Sequence, residues 1–406
     1  MNAPSPQKTL SLPHRLWRLL PAEPRRRLFA ALTAMLAPRP DRPAPPARGG
    51  IAIIGEFTRA SGLGESARLI RSALAELGVT TWTIDIDAPG TTAIPAGVPL
   101  LIHVNPPLLP YVLTRLPRGL LRGRRVIGHW AWELPTVPPA WRVGLRFVHE
   151  IWGISNFTAD AIRTLLPAGS DIAVHAMPIP VAVAPPRPSA LTRADFGLPA
   201  DAVIVLTSFN LASSRVRKNP DGAIAAFRAA FGDRVDRLLV LKIGNPGHFP
   251  EDFAEISAAA AARNIRLLTE TMPAADAHAL TACADIVLSL HRSEGFGLVP
   301  AEAMLLGVPV VATGWSANLD FMDAESAALV PYTLIPARDP RGVFEAPGAV
   351  WAEPDIAAAA AALRGLADDP AERAALGQRG RAMAQARLGL APVREAVTRL
   401  GLKVAA

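Results

Sequence analysis

Two glutamates separated by seven residues, Glu294 and Glu302, flank a glycine-bearing turn within Ser289–Asn318 (SLHRSEGFGLVPAEAMLLGVPVVATGWSAN). An apolar strand precedes the turn, and a helix is predicted to start near Leu298. Gly295 and Gly297, on either side of Phe296, let backbone N–H groups approach an anion closely. The helix N-terminus adds its positive dipole end. Glu302 falls one turn beyond Leu298 on the same helix face. An anion held on those amides would therefore have a carboxylate on each side. Such chemistry suits a sugar nucleotide, with its diphosphate on the amides, one glutamate near the sugar hydroxyls and the other near the ribose.

A second loop, Ser208–Asn219 (SFNLASSRVRKN), supplies counter-charge. Asn219 is expected to cap the helix that follows, with Pro220 in its first turn. Arg215, Arg217 and Lys218 crowd that helix start, where each cation opposes the helix dipole by about 0.3 kcal/mol or more. A bound diphosphate reverses the sign. In VIGHWAWELP, His129 joins Trp130, Trp132 and Glu133 at a strand end. Aromatic faces stack on sugars, and a glutamate accepts hydroxyl hydrogen bonds. His103 and Asn105 of LIHVNPP end the preceding strand and are expected to line the same acceptor-side cleft. The base is expected near Ile265–Thr271, with Thr271 among the donor contacts.

Gly62-Leu-Gly64-Glu65-Ser66-Ala67 imitates the dinucleotide pattern G-x-G-x-x-A, and Asp85 lies about 20 residues on. In a dinucleotide site the first glycine directly follows the strand, whereas Gly55 to Ser61 intervene here. Gly62 and Gly64 are therefore read as a loop that lets the first domain close on a ligand held mostly by the second. Asp85 and Asp87 have no third ligand nearby, and the histidines show no metal-ligand spacing, so no metal and no cofactor is expected.

The elements that must position these residues alternate strand and helix twice. Ile51–Ile54, Thr80–Ile86, Leu100–Val104, Arg125–Gly128, Glu150–Ile154 and Ile172–Ala176 read as strands, with a helix over Glu65–Leu77. A proline-rich passage, MPIPVAVAPPRP, separates them from a second run beginning at Val203–Thr207. Two such runs predict an α/β protein with two Rossmann-like parallel-sheet domains facing a cleft, ligands binding beyond the carboxyl ends of the strands. The boundaries are 1–48 for a basic, proline-rich tail, 49–183 for an acceptor-side domain, 190–370 for a donor domain and 371–406 for C-terminal helices.

Composition narrows the partners. One cysteine excludes a disulfide framework. Lys plus Arg is 42 against 35 Asp plus Glu, a net charge of +7 that by itself leaves a polyanionic partner open. Residues 1–48 hold nine basic and two acidic side chains, which is the whole excess. The body is neutral, which argues against nucleic acid. The tail carries Leu12, Leu16, Leu19, Leu20 and Trp17 between basic residues, then Leu28, Leu32, Met35 and Leu36 at helical spacing. A basic amphipathic tail of this kind suits an anionic membrane surface reached through residues 1–37. No apolar run is long enough to span a bilayer, so a cytoplasmic protein, peripheral on the inner face of the plasma membrane, is expected.

Taken together these motifs resemble the retaining, family-4-type glycosyltransferases of the GT-B fold (glycosyl transferases group 1). Glu294-x7-Glu302 is similar to their E-x7-E donor motif. The likeness extends through HRSEGFGL, AEAMLLGVPVVATGWSAN, RKNP at 217–220, WELP, EIWGISNFTADAI at 150–162 and WAEPD at 351–355. It implies metal-independent transfer of a sugar from a nucleotide diphosphate sugar, of GDP-mannose or UDP-hexose type, to a glycan or lipid-linked oligosaccharide in polysaccharide biosynthesis. By this likeness Glu294 positions the sugar and Glu302 the ribose. Arg217 and Lys218, with the 296–298 amides, stabilise the leaving diphosphate, and His129 stands beside the transferred sugar. The usual loop arginine is missing, since Ser213 and Ala212 occupy its place, and Arg215 or Arg217 must substitute. The last helices, from about Pro370, are expected to pack back on the first domain. Rival readings are a GT-B-like sugar-nucleotide epimerase, a non-catalytic sugar-nucleotide-binding protein, and a nicotinamide oxidoreductase resting on the glycine pattern alone.

Overall fold

The computed structural model describes residues 22–404, apart from Ala60, Thr91 and Glu345. The part of the tail up to Pro21, including Trp17, lies outside the described residues.

The first sheet contains β1 (Ile51–Gly55), β2 (Thr81–Asp85), β3 (Leu100–Ile102), β4 (Val126–Trp130), β5 (Glu150–Gly153) and β6 (Ala173–Ala176), all parallel, in the order β2-β1-β3-β4-β5-β6. The second contains β7 (Val203–Asn210), β8 (Arg237–Gly244), β9 (Ile265–Leu268), β10 (Ile286–Ser289), β11 (Val310–Thr313) and β12 (Ala328–Val330), in the order β12-β11-β10-β7-β8-β9. Continuous apolar runs such as Ile51-Ala-Ile-Ile54 are buried throughout, as strands covered on both faces require. Each sheet has one switch point where the strand order reverses, between β1 and β3 and between β7 and β10. Chains leaving these strands diverge there and leave a crevice.

The helix after β1 runs Gly62–Glu76, three residues earlier than the sequence suggested. Gly62 and Gly64 are thus first-turn helical residues and not a hinge loop. Ser61 is the N-cap and accepts from the Gly64 amide at 3.0 Å. A Cβ on Gly64 would stand 2.4 Å from the Arg59 carbonyl oxygen and 2.6 Å from that of Glu56, so only glycine lets the 56–61 loop fold over the helix start.

The antiparallel pair β13 (Tyr332–Pro336) and β14 (Val350–Pro354) has no counterpart among the expected elements. It carries Phe344 and Trp351 out of the second domain and into the core of the first, beside Trp130, Trp132 and Trp141. The two domains share this aromatic cluster, which fixes their seam.

The proline passage 38–48 is not a free linker. His149 Nε2 meets the Asp41 carbonyl at 2.7 Å, Arg42 donates to the Val148 carbonyl at 2.8 Å, and the Asp41 carboxylate accepts from the Gly123 amide at 2.6 Å. The helix Ala22–Leu36 before it lies against Leu109–Arg115, with Phe29 and Tyr111 ring centres 5.3 Å apart. Leu28, Phe29, Leu32, Met35 and Leu36 remain exposed.

At the other end, only the final helix, Ala391–Arg399, returns to the first domain. Val393, Ala396 and Val397 pack there on Ile51, Ile70 and Leu74. The helix before it, Pro370–Arg387, stays on the second domain, so close that a Cβ on Gly377 would stand 2.1 Å from the Gly307 carbonyl oxygen. Gly377→Ala should therefore lower stability by about 1–3 kcal/mol through overpacking. Gly365, in the helix Ile356–Asp368, faces open space, and Gly365→Ala should stabilise by about 0.5–1 kcal/mol through helix propensity. Denaturant midpoints of the two variants test the packing, and equal shifts would contradict it.

Candidate active site

Both switch points open into one cavity of about 580 Å³ at the domain seam, a size suited to a small-molecule ligand. Its floor is a cluster of buried charge. Lys218 Nζ contacts Glu294 Oε1, and Arg217 reaches Glu294 Oε2 at 3.2 Å. Arg217 also donates to the Ser293 carbonyl at 2.7 Å, lies 3.8 Å from the Glu133 carboxylate across the seam, and stacks over the Phe344 ring with 5.0 Å to its centre. Only 2% of the Arg217 side chain is exposed.

Burial alone would push the Glu294 carboxyl up, but Lys218 and Arg217 outweigh it and hold the pKa at about 2. Burial moves Lys218 the other way, lowering it despite the attraction of Glu294. Burial also raises Glu133, against the pull of Arg217. The site is thus a carboxylate kept ionised by one fully buried cation, Arg217, and one partly exposed cation, Lys218.

Residues outside the expected site set build this floor, together with Asn219 in its expected place as a helix cap. Ser214, at φ 69°, caps the short helix Arg215–Lys218 and donates to Asp339 at 3.1 Å. Asp339 in turn accepts from the Val343 and Phe344 amides at 2.9 and 3.2 Å, tying the arginine loop to the β13–β14 insertion. Asn219, at φ 52°, caps Pro220–Phe231 through the Gly222 amide and donates to the Leu290 carbonyl at 2.9 Å. On the other loop, the Glu294 amide donates to Ser316 Oγ at 2.9 Å. Buried His291 bridges Ser289 at 3.0 Å and Asn318 at 3.1 Å. Short polar residues accepting left-handed backbone were the available signal, but Ser214 and Asn219 find their partners Asp339 and Leu290 125 and 71 residues away.

The helix Leu298–Leu305 starts after Gly297, at φ 98°, and has no side-chain cap. Its first-turn amides remain for a ligand, and Leu298, Val299 and Pro300 line the cavity. Gly295 is required by close approach, since a Cβ would meet the Trp132 carbonyl oxygen of the first domain at 2.7 Å.

Of the expected residues, Gly62, His103, Glu133, Arg217, Lys218, Glu294, Gly295, Phe296, Gly297 and Leu298 line the cavity. The others do not. His129 is fully buried behind His103, with ring centres 4.5 Å apart. Trp130 and Trp132 are core residues of the seam. Asn105 accepts from the Ala131 amide at 2.9 Å and serves the backbone. Arg215 is held outward by Asp221 and Glu255, leaving Arg217 as the loop arginine that enters the site. Gly64 sits beneath its own loop. Glu302 faces His278 at 3.9 Å, next to the wall residue Ala277, and Thr271 precedes the wall residue Met272. Lys242, Asn210 and Ser289 line the cavity unpredicted. Among the described residues no group of three or more His, Cys, Asp or Glu could hold a metal ion.

With this geometry in place, the comparisons with known proteins define the class. Residues 204–353 match the family model for glycosyl transferases group 1. The chain has a GT-B fold, and that match lies within its second domain. A D-inositol 3-phosphate glycosyltransferase of Kineococcus radiotolerans is 30% identical over 246 residues, 57% of this chain. The alignment spans about half the length of that relative, 50%. Sucrose-phosphate synthase of Thermosynechococcus elongatus superposes with a TM-score of 0.62 at 18% identity, covering 87% of this chain and 98% of that one. HepE of Anabaena, solved with UDP and glucose, gives 0.58 at 13% identity, covering 87% and 99%. At these identities the structural likeness concerns the fold.

Because the folded-state pKa of Glu294 lies below its ordinary 4.5, its carboxylate adds stability above about pH 4.5. That contribution is lost as the pH falls toward 2. Glu294→Gln should leave Lys218 without its carboxylate and Arg217 with only Glu133 at 3.8 Å, and cost about 2–4 kcal/mol at pH 7. The cost should shrink at pH 3. Urea unfolding of both proteins at the two pH values measures this, and a pH-independent difference would contradict the charge assignment.

Proposed function

We propose that this chain is a retaining glycosyltransferase that moves a sugar from a nucleoside diphosphate sugar to the hydroxyl of a glycan or lipid-linked acceptor in polysaccharide biosynthesis. The observation that carries the reading is the cavity floor. Arg217, Lys218 and the uncapped first turn of Leu298–Leu305 converge where a diphosphate would gain two cations and free amides at once. In the structure Glu294 balances the cations. A diphosphate relieves it of that role and frees the carboxylate for sugar hydroxyls.

The step breaks the bond between the anomeric carbon and the diphosphate oxygen and forms one to the acceptor oxygen on the same face. The acceptor proton passes to the departing phosphate. Charge growing on the diphosphate is met by preorganised Arg217, Lys218 and amides in a shielded site, the electrostatic part usually largest in such catalysis. These cations occupy the place a divalent metal takes in other transferases, so the reaction is metal-independent. The nucleotide donor class agrees with the neighbour solved with UDP and glucose. Lys218→Ala should lower transfer about 100-fold or more, while activity survives EDTA. Loss restored by Mg²⁺, or unchanged turnover in Lys218→Ala, would refute this account.

The apolar face of Ala22–Leu36 supports docking on an anionic membrane. Leu32, Met35 and Leu36 are exposed after a run of three arginines. Replacing these three by serine should leave the fold intact and reduce sedimentation with phosphatidylglycerol liposomes. Equal sedimentation of variant and parent would remove the membrane from the proposal.

A further inference from the structure

Glu302 takes no part in the charged floor of the cavity. It lies on the helix Leu298–Leu305, three residues beyond Val299 and on the same face, and Val299 lines the cavity. Its charge partner is His278, whose Nε2 stands 3.9 Å from Glu302 Oε1. His278 belongs to the helix Ala274–Ala282 and follows Ala277, another wall residue. Among the described residues no other ion pair reaches Glu302.

The opposite edge of the imidazole is occupied by the passage that joins the two domains. The Arg187 amide, in the proline-rich stretch, donates to His278 Nδ1 at 3.2 Å. A backbone N–H only donates, so Nδ1 is a lone pair. The neutral ring therefore carries its proton on Nε2, on the side of Glu302. Two residues further on, the Ser189 amide donates to the Ala275 carbonyl at 2.9 Å. The linker is thus fastened to this helix at two points, one of them the histidine itself.

The alternative forms of the ring fit less well. The Nδ1–H tautomer would set one N–H against another and turn a lone pair toward a carboxylate. Glu302 raises the pKa of His278 above its ordinary 6.5. Glu65, on the first-domain helix Gly62–Glu76, acts in the same direction across the seam and is itself paired with Arg68 at 2.7 Å. A proton added at Nδ1 would tighten the hold on Glu302 but collide with the Arg187 N–H. The neutral Nε2–H ring alone suits both neighbours.

We propose that His278 is a positioning residue, which ties the interdomain linker to Glu302 and sets that carboxylate for the vicinal hydroxyls of a bound ribose. Met272, Ala277 and Val299 form the wall beside it, next to the amides that would hold a diphosphate. His278 itself touches neither the nucleotide nor the reacting atoms. Its effect is on how well the site tells a ribose from a sugar without those hydroxyls. The inference rests on reading the cavity as a glycosyltransferase site.

Calorimetric titration of the full chain with UDP and 2′,3′-dideoxy-UDP, and with the corresponding GDP pair, reads the hold on the ribose hydroxyls. The ratio of the two affinities should fall about fivefold to tenfold in His278→Leu. It should stay near the parent's in His278→Gln, whose amide keeps an N–H toward Glu302. In Glu302→Gln, adding His278→Leu should change the ratio no further. An unchanged ratio in His278→Leu, or an effect of the same size without the carboxylate, would overturn the proposal. Nitrogen-15 spectra of the histidine-labelled chain give a readout that needs no nucleotide. At about pH 9 His278 should be the Nε2–H tautomer, and its pKa should fall in Glu302→Gln. An Nδ1–H tautomer, or a pKa indifferent to Glu302, would overturn the proposal as well. If the parent binds no nucleotide, the glycosyltransferase reading fails, while these spectra still decide whether His278 holds Glu302.

Discussion

The contact between Glu294 and the pair Arg217–Lys218 is the constraint around which the rest of this molecule is arranged. Two of the three charges, Glu294 and Arg217, are buried and would be costly alone. Together they join the loop after β7 to the loop after β10, the two strands that flank the switch point of the second sheet. Capping residues at left-handed positions, a buried aspartate and the β13–β14 insertion hold the two loops to each other. The first domain then meets this cluster through Glu133 and the Trp132 carbonyl.

This arrangement explains why the seam is packed so closely. Ser293 donates to the Glu133 carbonyl, and Thr158 bridges the Trp132 and Gly295 carbonyls at 2.7 and 3.2 Å. Phe344 and Trp351 complete a core that belongs to both domains.

Much of this was legible in the residues. The alternating apolar runs specified both parallel sheets, and placing the chemistry in loops after strands led to Glu294, Lys218 and the 295–298 turn. Arg217 could not be told from Arg215, because the choice depends on Asp221 and Glu255 drawing Arg215 outward. His129 and His103 were both plausible, and which ring faces the cavity depends on strand depth that periodicity does not resolve. The glycines at 62 and 64 looked like a hinge because the N-cap at Ser61 was overlooked. The β13–β14 insertion was hidden since Tyr332, Leu334 and other exposed residues break the alternation expected of a sheet.

On the proposed function, the floor exchanges the Glu294 carboxylate for a diphosphate. The most direct measurement is a crystal structure with UDP or GDP bound. The expected result is the diphosphate on the amides of residues 296–298, within contact of Arg217 and Lys218, with the Lys218–Glu294 pair opened. A nucleotide bound elsewhere, or one bound in the cavity with that ion pair unchanged, would contradict it.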